Sequence, residues 1–193
     1  MSAGGGWIAA GLAGTIVAVA VGAGCGKHEP PGTITPKQMA DTLYATVSAD
    51  RAAYTHEVVE RLQDQENVIR ASERYRDDKA LPLPAQMFRM GADTARKSAT
   101  GVTYALLSPW PINKQNAPRT EAEKAGLRAA AEAGQSRYTE EVLGGERYFT
   151  AVYPDKAVSP ACASCHNAHR DSPRHDFKVG DVMGGVVIRI LLK

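Results

Sequence analysis

The chain has 193 residues, 44% of them hydrophobic and 23% charged, which suits one folded domain with an ordinary core and excludes collagenous, repeat-array and disordered chains. Its formal charge is only +2, so it lacks the basic stripe that neutralises phosphates, and nucleic acid is set aside as a partner.

The first elements are an address. Residues 1–25 hold no charged side chain before Gly24 and run through the small, apolar IAAGLAGTIVAVAVGAG to Cys25. Three readings fit: cleavage before Cys25 with lipid added to its thiol, cleavage near Ala18-Val19-Ala20, or retention as a membrane anchor. Each exports the domain to the periplasmic or cell-surface side. Gly22-Ala23-Gly24-Cys25 resembles a lipobox, although Gly22 stands where an aliphatic residue is usual. Residues 26–35, including His28, read as a linker, and 36–193 as the domain.

Thr35 before Pro36 signals a helix start, and Met39, Ala40, Leu43, Val47, Val58, Val59 and Leu62 recur at helical spacing, predicting one long N-terminal helix over about 36–63. A shorter helix is expected over ENVIRASERYRDD (66–78). LPLP (81–84) enforces an extended stretch, and Pro84 opens a helix carrying Met87 and Met90 on one face. Gly101 to Ser108 reads as a strand and PWPINKQNAP as a loop. Thr120 and Glu123 form a capping box for a helix that stops at Gly134. RYTEEVL and ERYFTAVYP around Gly144-Gly145 read as a hairpin, and VMGGVVIRILL as a final strand. The order argues for an α+β domain with an antiparallel sheet flanked by helices.

The stretch SPACASCHNAHRDSP (159–173) gathers two of the three cysteines and two of the five histidines. Cys162, Cys165 and His166 have the spacing of c-type haem attachment: two thiols form thioethers with the porphyrin vinyl groups, and the adjacent imidazole becomes an axial iron ligand. Three plainer readings compete. A zinc site would recruit Cys162, Cys165, His169 and His175, but the gap between the pairs is far shorter than a zinc-finger loop. A thioredoxin-like pair would need a helix start within a βαβ unit, which Pro160 and the antiparallel pattern speak against, and a structural disulfide is the third option. The haem reading is preferred.

With these residues in view, the chain from about Met39 to Leu192 resembles the single-haem, PAS-like c-type cytochrome and haem-sensor domains of bacteria. The likeness is carried by ALPLPAQMFRMG (80–91), TYALLSPWPINKQNAP (103–118), RYFTAVYP (147–154), CASCHNAH (162–169) and FKVGDVMGGVVIRI (177–190). It implies a long N-terminal helix leading into an antiparallel sheet, with one covalently held haem c between sheet and helices. Some relatives use a cysteine as the second axial ligand, on the helix before the central strand, where this chain has none. Met87 is the first candidate for that position, with Met90 and His56 as alternatives and an open or water-bound position beside them. His169 and His175 read as supporting or surface groups. Arg89, Arg96, Lys114 and Arg170 are candidates to pair with propionates, and Trp110 and Tyr104 to pack on the porphyrin.

Two function classes follow. One is an exported electron carrier serving a redox partner protein; the other is a haem-based redox or gas sensor acting through a signalling partner. Attachment to the membrane comes through the N-terminal anchor or lipid. An enzyme is not expected, since no distal acid or base for peroxidase-like chemistry can be placed.

Overall fold

The computed structural model describes residues 1–2, 32–98 and 100–192. Cys25 and His28, with nearly all of the export segment, lie outside the described residues. The compact unit runs from Ile34 to Lys193.

Its first helix, α1 (Pro36–Ala53), opens on a capping box: the Gln38 amide N–H donates to Thr35 Oγ1 at 3.0 Å, and the Thr35 N–H donates to Gln38 Oε1 at 2.9 Å. Where one uniform helix to about residue 63 was expected, the chain passes at Tyr54 into a π-helical segment, Tyr54–Gln65. At that junction the Thr55 hydroxyl donates to the Arg51 carbonyl at 2.8 Å, competing with the α-helical ladder for its acceptor. The wider winding then suits Thr55 and Val59, four residues apart and both buried.

The helix expected over 66–78 is absent. Asn67 takes a left-handed φ of 55°, and the backbone pairs at long range instead: Leu81 N–H donates to Arg70 O and Ser72 N–H to Leu81 O. The segment has seven charged side chains and no apolar stripe to bury, so nothing rewards a helix there. The helix α2 (Pro84–Lys97) follows.

Four strands form one antiparallel sheet: β1 (Val102–Leu107), β2 (Arg137–Leu143), β3 (Glu146–Lys156) and β4 (Val182–Leu191), in the order β1-β4-β3-β2. The β2–β3 turn places Gly144 and Gly145 at φ 60° and 89°, which only glycine adopts without strain. Between β1 and β2 runs α3 (Glu121–Ala133), opened by the Thr120–Glu123 capping box and closed by left-handed Gly134. Strand alternation divides the core in two. Ala151, Tyr153, Val186 and Ile188 face Ala40 of α1 and Phe88 of α2, while Val152, Val187 and Leu107 face Leu127 of α3. A third cluster, Ala157, Ala163, Phe177 and Met183 with Trp110 and Cys162, holds a short helix, α4 (Pro160–Ala168), beside the sheet.

Candidate functional site

The CASCH motif lies on α4, in the connection between the neighbouring antiparallel strands β3 and β4. Pro160, read from the sequence as an obstacle to a helix start, occupies the first turn of one, where its missing N–H costs nothing. The surroundings are nevertheless not a βαβ unit. On an α-helix Cys162, Cys165 and His166 stand at i, i+3 and i+4, so both sulfurs and the imidazole emerge from one face.

Each of the three is set by its neighbours. Both thiols are free. Burial, then the Glu73 carboxylate and Cys162, push the Cys165 thiol up, so it stays protonated rather than becoming a reactive thiolate. Cys162 Sγ lies 3.5 Å from the hydroxyl of Ser159, which stands at the helix cap. Burial pushes the His166 imidazole down, outweighing the upward pull of Asp155, and keeps it in the neutral form that can bind a metal. The ring packs edge-on against Phe177 at 5.9 Å, and its Nδ1 is buried without a hydrogen-bond partner.

The far end of α4 is clamped. The Asn167 side chain donates to Phe177 O at 2.8 Å and accepts from Phe177 N–H at 2.9 Å. His175 Nδ1 donates to the Asn167 carbonyl at 2.8 Å. His169 accepts the Asp171 N–H on Nδ1 and turns Nε2 to Glu73 Oε1 at 3.1 Å. His169 and His175 are thus engaged separately, and among the described residues no group of three or more His, Cys, Asp or Glu side chains could hold a metal ion. The four-ligand zinc arrangement is not assembled.

Residues that the sequence did not single out complete the surroundings. Arg51 of α1, largely buried, pairs with Asp155 of β3 and lies over the Phe88 ring. Its guanidinium is held up, against the burial that would lower it, by the charge of Asp155 and the hydrogen bond to it. With Tyr44, Ser48 and Asp155 it lines a cleft of about 390 Å³. Tyr44, Ser48 and Arg51 follow the i, i+4, i+7 stripe of α1, the one signal that pointed to them.

The candidates for the second axial position sit as follows. Met87 is half-buried in the first turns of α2, next to Gln86, whose side chain donates to the Glu73 carbonyl at 2.8 Å. Since Glu73 pairs with His169, two polar contacts link the Met87 turn to α4. Met90 is exposed, and its sulfur receives the Tyr75 hydroxyl at 3.6 Å. His56 is exposed and bonded to Glu60 at 2.7 Å; despite burial, hydrogen bonds from His56 and from Ser159 hold the Glu60 carboxyl below its usual range. Trp110 packs, like Cys162, against the Phe177–Met183 cluster and meets Phe177 at 5.7 Å, whereas Tyr104 packs on Phe88 in the other cluster. Arg89 and Arg96 line a separate cleft of about 680 Å³ beside β1 and α3, and Lys114 and Arg170 are exposed.

Residues 34–190 match the family described as Tll0287-like. The chain belongs to the Tll0287-like family. The crystal structure of the cyanobacterial haem protein Tll0287 is similar in fold, with a TM-score of 0.53 at 15% identity over 83% of this chain and 98% of that one. No curated protein matches the chain. Among the described residues of this Tll0287-like chain, no helix is long and apolar enough to cross a membrane.

Proposed function

We propose that this chain binds one haem c covalently through Cys162 and Cys165, with His166 as axial ligand, in a PAS-like domain exported to the periplasmic side. The observation that carries the reading is the single face of α4 bearing two free thiols and a neutral imidazole. Thiols at this spacing can form thioethers with the two vinyl groups, and a neutral imidazole is the form that ligates iron. Likeness to a haem protein of the same fold supports it. Haem, when bound, supplies one-electron chemistry at iron. The chain's own residues then position and tune it: Phe177 fixes the His166 ring, Asn167 anchors the end of α4, and Arg51 with Asp155 sets the local charge.

The activity we assign is electron transfer to a redox partner protein rather than enzymatic turnover, with the N-terminal segment, by lipid at Cys25 or as an anchor, keeping the domain at the membrane. A sensor reading is favoured by one feature: Glu73 touches both His169 and Gln86, so a ligand change on the α2 side would be felt by α4.

The test is expression with a c-type maturation system. Haem is expected to stay with the chain on a denaturing gel, and to be lost in Cys162→Ser/Cys165→Ser. A chain recovered without retained haem would sink the proposal. Carbon monoxide bound by the reduced protein without displacement of a strong ligand would favour sensing.

A further inference from the structure

A second assembly lies on the α1 face of the sheet, outside the α4 motif. Tyr44 of α1 lies flat on Tyr153 of β3, ring centroids 4.1 Å apart and planes 6° from parallel. Tyr138 of β2 meets Tyr153 edge-on at 5.9 Å. The hydroxyls of Tyr153 and Tyr138 donate to the same oxygen, Asp41 Oδ1, at 2.7 and 3.0 Å, and Lys37 Nζ holds Oδ2 at 2.6 Å. Tyr153 is 3% exposed, while the Asp41 side chain is 38% exposed, so this carboxylate reaches from a buried phenol to water. Tyr44 in turn borders the cleft that holds Arg51, Asp155 and Val158, the last of these two residues ahead of α4 in the chain.

The protonation states suit proton-coupled oxidation. Burial, and then the Asp41 carboxylate, push the Tyr153 phenol far up, so it does not ionise by itself. The hydrogen bond from Lys37 holds the Asp41 carboxyl below its usual range despite some burial, leaving it ionised and able to accept a proton. Removing an electron from a phenol makes its hydroxyl strongly acidic, and here the acceptor is already hydrogen-bonded.

We propose that Tyr153 is a redox-active tyrosine with Asp41 as its proton acceptor, Tyr44 as the inlet from that cleft and Tyr138 as the outlet, draining one-electron oxidising equivalents to the surface. In the first step one electron leaves Tyr153 for the oxidant and its proton passes to Asp41, giving a neutral tyrosyl radical and a carboxylic acid. In the second, Tyr138 gives an electron to Tyr153, Asp41 returns its proton to Tyr153, and the Tyr138 proton passes to Asp41. A thiol or ascorbate in the medium then restores Tyr138, supplying a hydrogen atom's worth of electron and proton, and Asp41, 38% exposed, releases its own proton to water. The oxidant is, by class, a high-potential one-electron oxidant that reaches the cleft beside Tyr44, such as a peroxyl radical, which leaves as the peroxide anion; no step depends on the proposed haem.

The test uses the full chain with photogenerated ruthenium(III) tris-bipyridine, read by transient absorption and by electron paramagnetic resonance of the tyrosyl radical. It is run on haem-loaded protein and on Cys162→Ser/Cys165→Ser, so failure of the haem reading leaves the relay measurable. The radical is expected in both, mostly lost in Tyr153→Phe, retained in Tyr148→Phe, and formed on the order of 100-fold more slowly in Asp41→Asn. A signal undiminished in Tyr153→Phe, an equal loss in Tyr148→Phe, or an unchanged rate in Asp41→Asn overturns the proposal.

Discussion

His169 Nε2, at the C-terminal cap of α4, lies 3.1 Å from Glu73 Oε1, tying the helix that carries CASCH to the irregular segment leading into α2. The ring is mostly covered, with 19% of its side-chain surface exposed, but Glu73 is 54% exposed, so the contact is worth little in global stability. Its effect is local. Glu73→Gln is expected to cost less than about 1 kcal/mol of unfolding free energy. It should nevertheless raise amide exchange across residues 70–82. Hydrogen exchange unchanged in that segment would show that the pair does not hold it.

The closest approach between α3 and the sheet yields a second expectation. A Cβ built on Gly126 would stand 2.6 Å from Val152 Cβ, and Val152 is itself 1% exposed beside Leu127. The valine cannot swing away without disturbing the Leu127–Val187 cluster. Gly126→Ala is therefore expected to destabilise by about 1–3 kcal/mol through overpacking, despite alanine's better helix propensity. Denaturant unfolding measures it, and a stabilised variant would contradict the packing.

Gly126 also shows where the sequence stopped being legible. Local chemistry was readable: the Thr120–Glu123 box, the Gly144-Gly145 turn and the alternation of β4 each have a short-range cause, and each element appears where expected. The helix expected over 66–78 and the missed α4 failed for one reason. Helix formation in both depends on what the segment packs against: 66–78 has no apolar stripe, whereas α4 is held by Ala163 and Cys162 in the Phe177–Met183 cluster, about which Pro160 carries no information. Cys162, Cys165 and His166 were recognisable because their spacing alone defines their chemistry. Arg51, Glu73 and Asn167 reach the same region through tertiary contacts more than 20 residues away in the first two cases, and no local pattern announces that.

A pH dependence follows from the far face of the sheet. Glu141 accepts from Thr150 Oγ1 at 2.6 Å and from Arg189 Nε at 2.9 Å. Burial alone would raise its carboxyl, but these hydrogen bonds win and hold it below the ordinary value of 4.5. A carboxyl lowered in the folded state adds stability that is present above its unfolded value and lost as pH falls through the folded one. Wild-type stability should thus drop below about pH 4.5, and Glu141→Gln, less stable at neutral pH, should show a shallower acid decline. Parallel acid profiles for the two proteins would remove Glu141 as a source of the dependence.

The second axial ligand is the sharpest remaining question at the proposed haem site, and the three candidates differ in what already occupies them. The Met90 sulfur is exposed and takes the Tyr75 hydroxyl, and His56 Nδ1 is held by Glu60 at the helix surface. Met87 is half-buried on a turn linked through Gln86 and Glu73 to α4. Ligation by Met90 would give up the Tyr75 contact and His56 lies on the exposed helix surface, whereas Met87 is half-buried and its ligation breaks neither the Gln86 nor the Glu73 contact. Haem-loaded Met87→Ala is therefore expected to turn from low-spin to high-spin and to bind carbon monoxide readily when reduced. Met90→Ala and His56→Ala should keep the parent spectrum, and Met87→His should lower the reduction potential, because a thioether favours ferrous iron more than a second imidazole does. Optical spectra of the oxidised and reduced forms decide it: an unchanged low-spin spectrum in Met87→Ala removes Met87, and loss of that spectrum in one of the other two variants identifies the ligand instead.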